Sequence, residues 1–289
     1  MLAAAFAAGL LLALVLTPAG IRIAWQVGYL DHPEARKLHT SATALLGGVV
    51  VFTSALAAWV GDAIVLHRPA HSGGVFLFAG ALVALLVGLW DDRHGMRPLV
   101  KLLGQIAAGG ALLASGRIPH FGLPLPVEVG LALLALAGAC IGFLPYNFPR
   151  ARIFLGDAGS LLLGYSLGAS ALLAFTESPR GWGSVGPLLM LAYPAFDLIF
   201  VVVNRVREGR KIYLGGQDHT NHRLASVLRC PTTTVLLLWL NGAALCASGL
   251  AVLRLNRPLP TLLLSGLWVT LLLWAGLRLS SVPPAPRTQ

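Results

Sequence analysis

Residues 2–20 read LAAAFAAGLLLALVLTPAG, a run with no charged side chain. A helix needs about 20 predominantly apolar residues to cross a bilayer, so this run has the length of one membrane span. No Lys or Arg precedes it and no small-residue cleavage site follows it, unlike in a secretory signal. The run therefore predicts an integral membrane protein whose first helix stays in the membrane.

The rest of the chain continues this pattern. Its 289 residues are 56% hydrophobic and only 11% charged, whereas soluble domains carry about 25% charged residues. We therefore predict an all-α fold, a polytopic integral membrane helical bundle with about nine transmembrane helices. A single transmembrane domain is expected over residues 1–279, followed by a disordered tail over residues 280–289. The predicted spans lie near residues 2–20, 46–66, 74–90, 99–115, 127–144, 158–176, 185–204, 232–254 and 259–278.

The net charge of +10 is distributed unevenly along the chain. Most of the 21 Lys and Arg residues fall in every second loop between predicted spans, and the positive-inside rule assigns such loops to the cytoplasm. The N-terminus is then predicted outside and the C-terminus inside. We expect the basic loops to contact anionic membrane lipids, and no nucleic-acid motif accompanies them.

Two adjacent carboxylates, Asp91 and Asp92, end the third predicted span. Carboxylates at a helix C-terminus meet the unfavourable end of the helix dipole, so a neighbouring cation or metal would explain them. The alternative is a solvated pair that only marks the end of a span.

The loop after the fifth predicted span reads NFPRARIFLGDAGS over residues 147–160. Gly156 and Gly159 permit close backbone approach, and the amides that open the sixth span would face an anion with the favourable end of the helix dipole. Asp157 between the two glycines is either a functional acid or only the N-cap of that span.

The loop before the eighth predicted span contains His219, His222 and Arg223. On a helix the two histidines would share one face. They suit phosphate oxygens at least as well as a metal, although a basic loop that touches lipid phosphates is an equally valid interpretation. Within the seventh span, Asp197 either faces a polar cavity or pairs with an Arg such as Arg205.

Acids, histidines and cations on one predicted face together indicate a site for a divalent metal and a phosphorylated substrate. Mg²⁺ binds through one or two carboxylates plus substrate phosphates, and it neutralises charge during displacement at phosphorus.

Four ordered segments resemble the polyprenyl-phosphate hexosamine-1-phosphate transferases, the membrane family that includes phospho-N-acetylmuramoyl-pentapeptide transferase and undecaprenyl-phosphate N-acetylglucosamine-1-phosphate transferase. The most specific segment is GFLPYN at residues 142–147, followed by GDAGS at residues 156–160. The others are RKLH at residues 36–39 with Gly47 and Gly48, the Asp91–Asp92 segment as far as Lys101, and DHTNHR at residues 218–223.

The resemblance implies a phosphotransferase that moves an N-acetylhexosamine-type sugar 1-phosphate from a UDP-amino sugar to undecaprenyl or another polyprenyl phosphate and releases UMP. Such an enzyme serves cell-wall or surface-polysaccharide synthesis in a bacterial plasma membrane, requires Mg²⁺ or Mn²⁺, and is a possible homodimer. The resemblance implies that Asp91, Asp92 and Asp157 are catalytic, that Asp157 and secondarily Asp92 bind the metal, and that Lys37, Lys101, Asn147, His219, His222 and Arg223 bind phosphate or substrate.

One part of the family pattern is absent. The family carries a loop of the type Asn-x-x-Asn-x-x-Asp-Gly-x-Asp-Gly, associated with nucleotide recognition, and residues 93–155 contain no such segment. The fifth predicted span runs from Val127 directly into the Gly142 segment, as if two spans and their loop had been removed. The alternative function is therefore a catalytically impaired relative that binds lipid phosphate or has a structural role in the membrane. A transporter is supported only by Asp197 and the number of spans.

Overall fold

The structure is a computed structural model that describes residues 2–32, 41–65, 72–113, 127–177, 181–213 and 216–282. A 3₁₀ helix spans Trp182–Val185, and two short strands lie between the first two α-helices. The all-α prediction is confirmed. The helices are α1 (Leu2–Gln26), α2 (Gly47–Val65), α3 (Ser72–His94), α4 (Pro98–Leu113), α5 (Val127–Asn147), α6 (Gly156–Glu177), α7 (Gly186–Met190), α8 (Ala192–Arg207), α9 (Thr220–Leu228), α10 (Pro231–Leu255) and α11 (Pro258–Ser280), and the strands are β1 (Leu30–Asp31) and β2 (Thr43–Ala44).

Seven helices in the described ranges are long and apolar enough to cross a membrane, namely α1, α2, α3, α5, α6, α10 and α11. The 3₁₀ helix and α7 form an eighth crossing with α8 if this broken pair, bent by 60°, counts as one span. The break lies just before Pro194, which has no N–H to donate to the carbonyl of Met190. The described part of α4 has 16 residues, fewer than the about 20 that a span needs. The polytopic membrane fold is thus confirmed, whereas the count of about nine stays a prediction.

The chain forms two compact units. The first comprises Met1–His120 and Pro124–Ser170, and the second comprises Phe121–Leu123 and Ala171–Gln289. The single domain over residues 1–279 stays a prediction. Ser280 is the last residue of α11, and residues 283–289 of the predicted tail lie outside the described residues.

In the first unit, α1 and α5 pack with their backbones in contact. A Cβ atom added to Gly138 would lie 2.0 Å from the carbonyl oxygen of Phe6, and one added to Gly9 would lie 2.1 Å from that of Ala135. Glycine is required because small residues allow membrane helices to approach this closely. The core around this pair includes Val51, Phe52, Leu85, Phe143 and Leu162.

The same unit brings the start of α2 against the loop that precedes α6. Gly47 N–H donates to the carbonyl of Phe154 at 3.0 Å, and Gly48 N–H donates to that of Leu155 at 3.0 Å. A Cβ atom on Gly48 would lie 2.3 Å from the backbone nitrogen of Gly159. Two glycine motifs from distant parts of the chain therefore fix the backbone from which α6 starts.

The second unit is built around α10. A Cβ atom on Gly186 of α7 would lie 2.4 Å from the carbonyl oxygen of Gly249, so these two helices also meet through glycine. Its core contains Leu189, Leu245, Val252 and Trp268. This packing supports α8 and α9, which carry the polar residues of this unit.

Candidate functional site

The carboxylate of Asp92, on α3, lies at the first turn of α6. Its Oδ1 accepts the backbone N–H of Asp157 at 2.8 Å, and its Oδ2 accepts that of Ala158 at 3.0 Å. The first amides of a helix lack partners within the helix and carry the positive end of its dipole, so a carboxylate stabilises them. Gly88 permits this approach, because a Cβ atom there would lie 2.3 Å from Ala158 Cα. In the structure, the anion at these amides is thus supplied by the chain itself.

Lys101, on α4, lies between Asp91 and Asp157. Its Nζ is 2.6 Å from Asp91 Oδ2 and 2.8 Å from Asp157 Oδ2. Asp91 also accepts the N–H of Met96 at 2.5 Å, and its side chain is 12% exposed, compared with 45% for Asp157. Asp157 is therefore the more accessible acid. We refer to Asp91, Asp92, Lys101 and Asp157 as the carboxylate cluster.

The carboxylate cluster has enough oxygen ligands for one magnesium ion if substrate phosphates supply the remaining ligands. Among the described residues, no three His, Cys, Asp or Glu side chains are grouped to hold a metal. Mg²⁺ needs only one or two protein carboxylates when substrate phosphates complete its shell. The ammonium of Lys101 marks a cation position between Asp91 and Asp157, which fits that arrangement. Asp92 fits it less well, because both of its oxygens face backbone amides.

Asn147 closes the loop that leads to this cluster. It is the last residue of α5, and its Nδ2 donates to the carbonyl of Ile153 at 3.0 Å. This side chain therefore holds the turn that returns the chain to α6. The predicted phosphate ligand Lys37 lies outside the described residues.

In the second unit, Asp197 on α8 holds the start of α9. Its Oδ1 accepts the backbone N–H of Thr220 at 2.8 Å and the Thr220 hydroxyl at 2.6 Å. Its Oδ2 lies 2.7 Å from Nδ1 of His219. Tyr193 shares a hydrogen bond of 2.8 Å with the Thr220 hydroxyl. Of the two alternatives for Asp197, pairing with Arg205 is not observed, since the acid binds His219 and Thr220.

Arg205 instead binds Asp218, which is 2% exposed. Asp218 Oδ2 accepts from Nε and Nη2 of Arg205 at 3.0 and 2.8 Å, and its Oδ1 accepts from Nη2 of Arg210 at 2.7 Å. Burial alone would raise the pKa of Asp218, but the hydrogen bonds from Arg210 and Arg205 hold that pKa below its usual range. A charged and fixed residue thus immediately precedes His219.

The two predicted histidines have different environments. The hydrogen bond with Asp197 raises the pKa of His219. Burial, followed by the neighbouring charge of His219, lowers the pKa of His222. His219 is the N-cap residue of α9 in extended conformation, and its side chain is 45% exposed. His219 is therefore the histidine that favours the cationic form.

Arg223, predicted to bind phosphate, is 1% exposed. Its Nη1 donates to the carbonyls of Leu279, Ser280 and Val282 at 3.2, 3.3 and 2.9 Å, and its guanidinium lies over the ring of Phe200. A cation at the last carbonyls of a helix satisfies groups that lack partners and complements the helix dipole. Arg223 thus joins α9 to the end of α11.

Sequence reasoning missed two residues of the second unit, Thr220 and Tyr193. Thr220 supplies two hydrogen-bond donors to Asp197, and Tyr193 binds the hydroxyl of Thr220. Their partners come from a different helix, so no spacing pattern within either segment could have indicated the contact.

Comparison with known proteins gives a consistent result. The glycosyl transferase family 4 model matches residues 126–175, which include α5 and most of α6. A Bacillus subtilis protein, named a probable undecaprenyl-phosphate N-acetylglucosaminyl 1-phosphate transferase, is 26% identical over 82% of this chain and 81% of its own length. The decaprenyl-phosphate N-acetylglucosaminephosphotransferase of Mycobacterium leprae is 28% identical over 72% of this chain and 73% of its own. The phospho-N-acetylmuramoyl-pentapeptide-transferase of Desulforudis audaxviator is 32% identical over 63% of this chain and 50% of its own.

The alignment with the Bacillus protein extends over 294 positions, although it covers only 82% of a 289-residue chain. It therefore contains positions at which the relative has residues and this chain has a gap.

Proposed function

Since this chain is a homologue of the glycosyl transferase family 4 proteins, we propose that it transfers an N-acetylhexosamine-type sugar 1-phosphate from a UDP-sugar to a polyprenyl phosphate. An oxygen of the lipid phosphate attacks the phosphorus that bears the sugar, the bond from that phosphorus to UMP breaks, and UMP leaves. The reaction would serve cell-wall or surface-polysaccharide synthesis, with the carboxylate cluster on the cytoplasmic side of the plasma membrane.

The observation that carries this proposal is the convergence of Asp91 and Asp157 on the ammonium of Lys101. Two carboxylates around one cation, with Asp157 accessible, provide a place for phosphate-bound Mg²⁺ or Mn²⁺. When bound, the metal would supply positive charge that neutralises the phosphoryl oxygens in the transition state. Lys101 would then be displaced toward a phosphate oxygen, and Asp92 would keep Asp157 in place through the first amides of α6.

The direct test is UMP release by the purified full chain with undecaprenyl phosphate, Mg²⁺ and a panel of UDP-amino sugars. Asp157→Asn is expected to reduce the rate by about 100-fold or more, since it removes a charge at the metal position. Asp62→Asn, the same chemical change on α2, is the matched control and should retain the rate. Failure of the unaltered chain with every donor would contradict the proposal.

A readout independent of turnover tests the metal position. Mg²⁺ should raise the melting temperature of Lys101→Gln more than that of the unaltered chain, because the ion then occupies the place of the ammonium between Asp91 and Asp157. Asp157→Asn in the Lys101→Gln background should remove this difference. Equal Mg²⁺ effects on all three proteins would contradict a metal site in the carboxylate cluster.

A second candidate function is binding of polyprenyl phosphate without turnover. It is favoured by α5, which continues without a break from Val127 to Asn147 where the family pattern would require a nucleotide-recognition loop. Measurable affinity for polyprenyl phosphate, together with none for any UDP-sugar, would support this function over transfer.

A further inference from the structure

A single carboxylate performs two tasks at the start of α9. Asp197 Oδ1 accepts the backbone N–H and hydroxyl of Thr220, and Oδ2 binds Nδ1 of His219 at 2.7 Å. The side chain of Asp197 is 21% exposed, so solvent competes little for it. One acid therefore fixes the first turn of the helix and the orientation of the imidazole that precedes it.

The other nitrogen of this imidazole is open. Nε2 lies across the ring from Nδ1 and has no hydrogen-bond partner among the described residues. The side chain is 45% exposed, so a ligand can reach this nitrogen. A carboxylate at Nδ1 fixes the ring and favours its cationic form, in which Nε2 carries a proton. Asp197 thus orients the ring, while the Nε2–H donor is left without a partner among the described residues.

We propose that Asp197 is a positioning residue that holds His219 as an imidazolium whose Nε2–H donates to a phosphate oxygen of the substrate. This role rests on the transferase function proposed above. Charge-assisted donors to phosphate are the stronger class of hydrogen bond, and a fixed donor loses less entropy on binding.

Among the charged groups near His219, Asp197 is the acid that most favours the cationic form of the ring. Asp218 contributes in the same direction, but its carboxylate is bound by Arg205 and Arg210. Arg205 and the neighbouring His222 oppose a charge on the ring. Removing the carboxylate of Asp197 should therefore be sufficient to discharge the imidazole.

Asp197→Asn separates this role from simple capping of α9. The Thr220 N–H needs an acceptor, so the Asn oxygen should face Thr220 and its NH₂ group should face Nδ1 of His219. Nδ1 must then accept and loses its proton, while the cap on α9 is kept. Tyr193→Phe is the matched control, because it removes a hydrogen bond to Thr220 but none to the imidazole.

Nitrogen NMR of ¹⁵N-histidine-labelled full-length protein reports the protonation of both ring nitrogens, with His219→Gln identifying the signals. At neutral pH we expect Nδ1 and Nε2 both to be protonated in the unaltered chain and in Tyr193→Phe, and Nδ1 to be unprotonated in Asp197→Asn. An unprotonated Nδ1 or an unprotonated Nε2 in the unaltered chain would overturn the proposal. This measurement needs no turnover, so it remains decisive even if no UDP-sugar is used.

A double-mutant cycle on UMP release tests whether Asp197 acts through His219. Asp197→Asn should lower kcat about 10- to 100-fold, the range found when the partner that orients a metal-binding histidine is removed. In the His219→Gln background the same change should cost less than about twofold, as expected for residues that act as one unit. Equal losses in both backgrounds would show that Asp197 only supports α9. Tyr193→Phe should stay within about twofold of the unaltered chain.

Discussion

The carboxylate of Asp92 accepts the backbone N–H of Asp157 at 2.8 Å, so an acid near the end of α3 caps the first turn of α6. The neighbouring Asp91 has a different partner, the ammonium of Lys101. Two identical adjacent residues therefore have separate tasks. One faces a cation, and the other faces the amide groups of a helix.

Substitution of Asp92 should separate capping from chemistry. Asp92→Ala removes the acceptor for the first amides of α6 and should lower the free energy of unfolding by about 1–2 kcal/mol, the usual value of a helix cap. Asp92→Asn keeps one carbonyl acceptor and should retain most of that stability. Unfolding titrations in mixed micelles measure the difference. A fully stable Asp92→Asn protein with no activity would assign Asp92 a direct part in the reaction.

Gly138 is expected to be intolerant of any side chain. Gly138→Ala places a methyl group 2.0 Å from the Phe6 carbonyl oxygen and should destabilise the packing of α1 on α5 by about 1–3 kcal/mol or more. Gly130→Ala on the same helix is the control, since nothing lies within 4 Å of the added Cβ. It should be neutral or stabilising by up to about 1 kcal/mol, because alanine favours helix. Melting temperatures that fall equally in both variants would contradict this account.

Arg223→Met should destabilise the second unit by roughly 2–3 kcal/mol, since it leaves three carbonyls at the end of α11 without their charged donor. The exposed Arg207→Met is the control and should have little effect. A direct phosphate contact predicts another outcome, namely a raised KM with unchanged stability. Chemical unfolding and initial-rate measurements on the same preparations distinguish the two roles.

The stability contributed by His219 should depend on pH. Its pKa in the folded protein is raised above the unfolded value of 6.5, so its contribution is fully present below about pH 6.5 and is lost as the pH rises through the folded pKa. His219→Gln should therefore destabilise the protein at about pH 5.5 and have less effect at about pH 8.5. His222, with its lowered pKa, should behave in the opposite sense, losing stability as the pH falls. Unfolding free energies of both variants across this range provide the check.

The helical membrane fold could be predicted because apolar runs of span length need no partner to be recognised. The grouping of Asp91, Lys101 and Asp157 also follows the expectation that polar segments gather. The partners of Asp92, Asp197 and Arg223 could not be predicted, because each of these side chains binds backbone groups of another helix. Any residue supplies an amide or a carbonyl, so such contacts leave no pattern in the sequence.

Lys37, predicted to bind phosphate, belongs to the segment between α1 and α2 and lies outside the described residues, so its role stays a prediction. The break before Pro194 is a further example of local chemistry that a hydropathy count does not reveal. Residues 185–204 form one apolar run in the sequence, whereas in the structure the chain bends by 60° at the break before Pro194, where proline supplies no N–H.

The contact between Arg223 and the end of α11 imposes an order on biosynthesis. The histidine-bearing helix is translated before the carbonyls that its buried arginine binds. Until α11 has been synthesised, the guanidinium lacks these three carbonyl acceptors, and only earlier neighbours such as Phe200 are present. A chain stopped before residue 279 would therefore carry every predicted site residue without these contacts of Arg223.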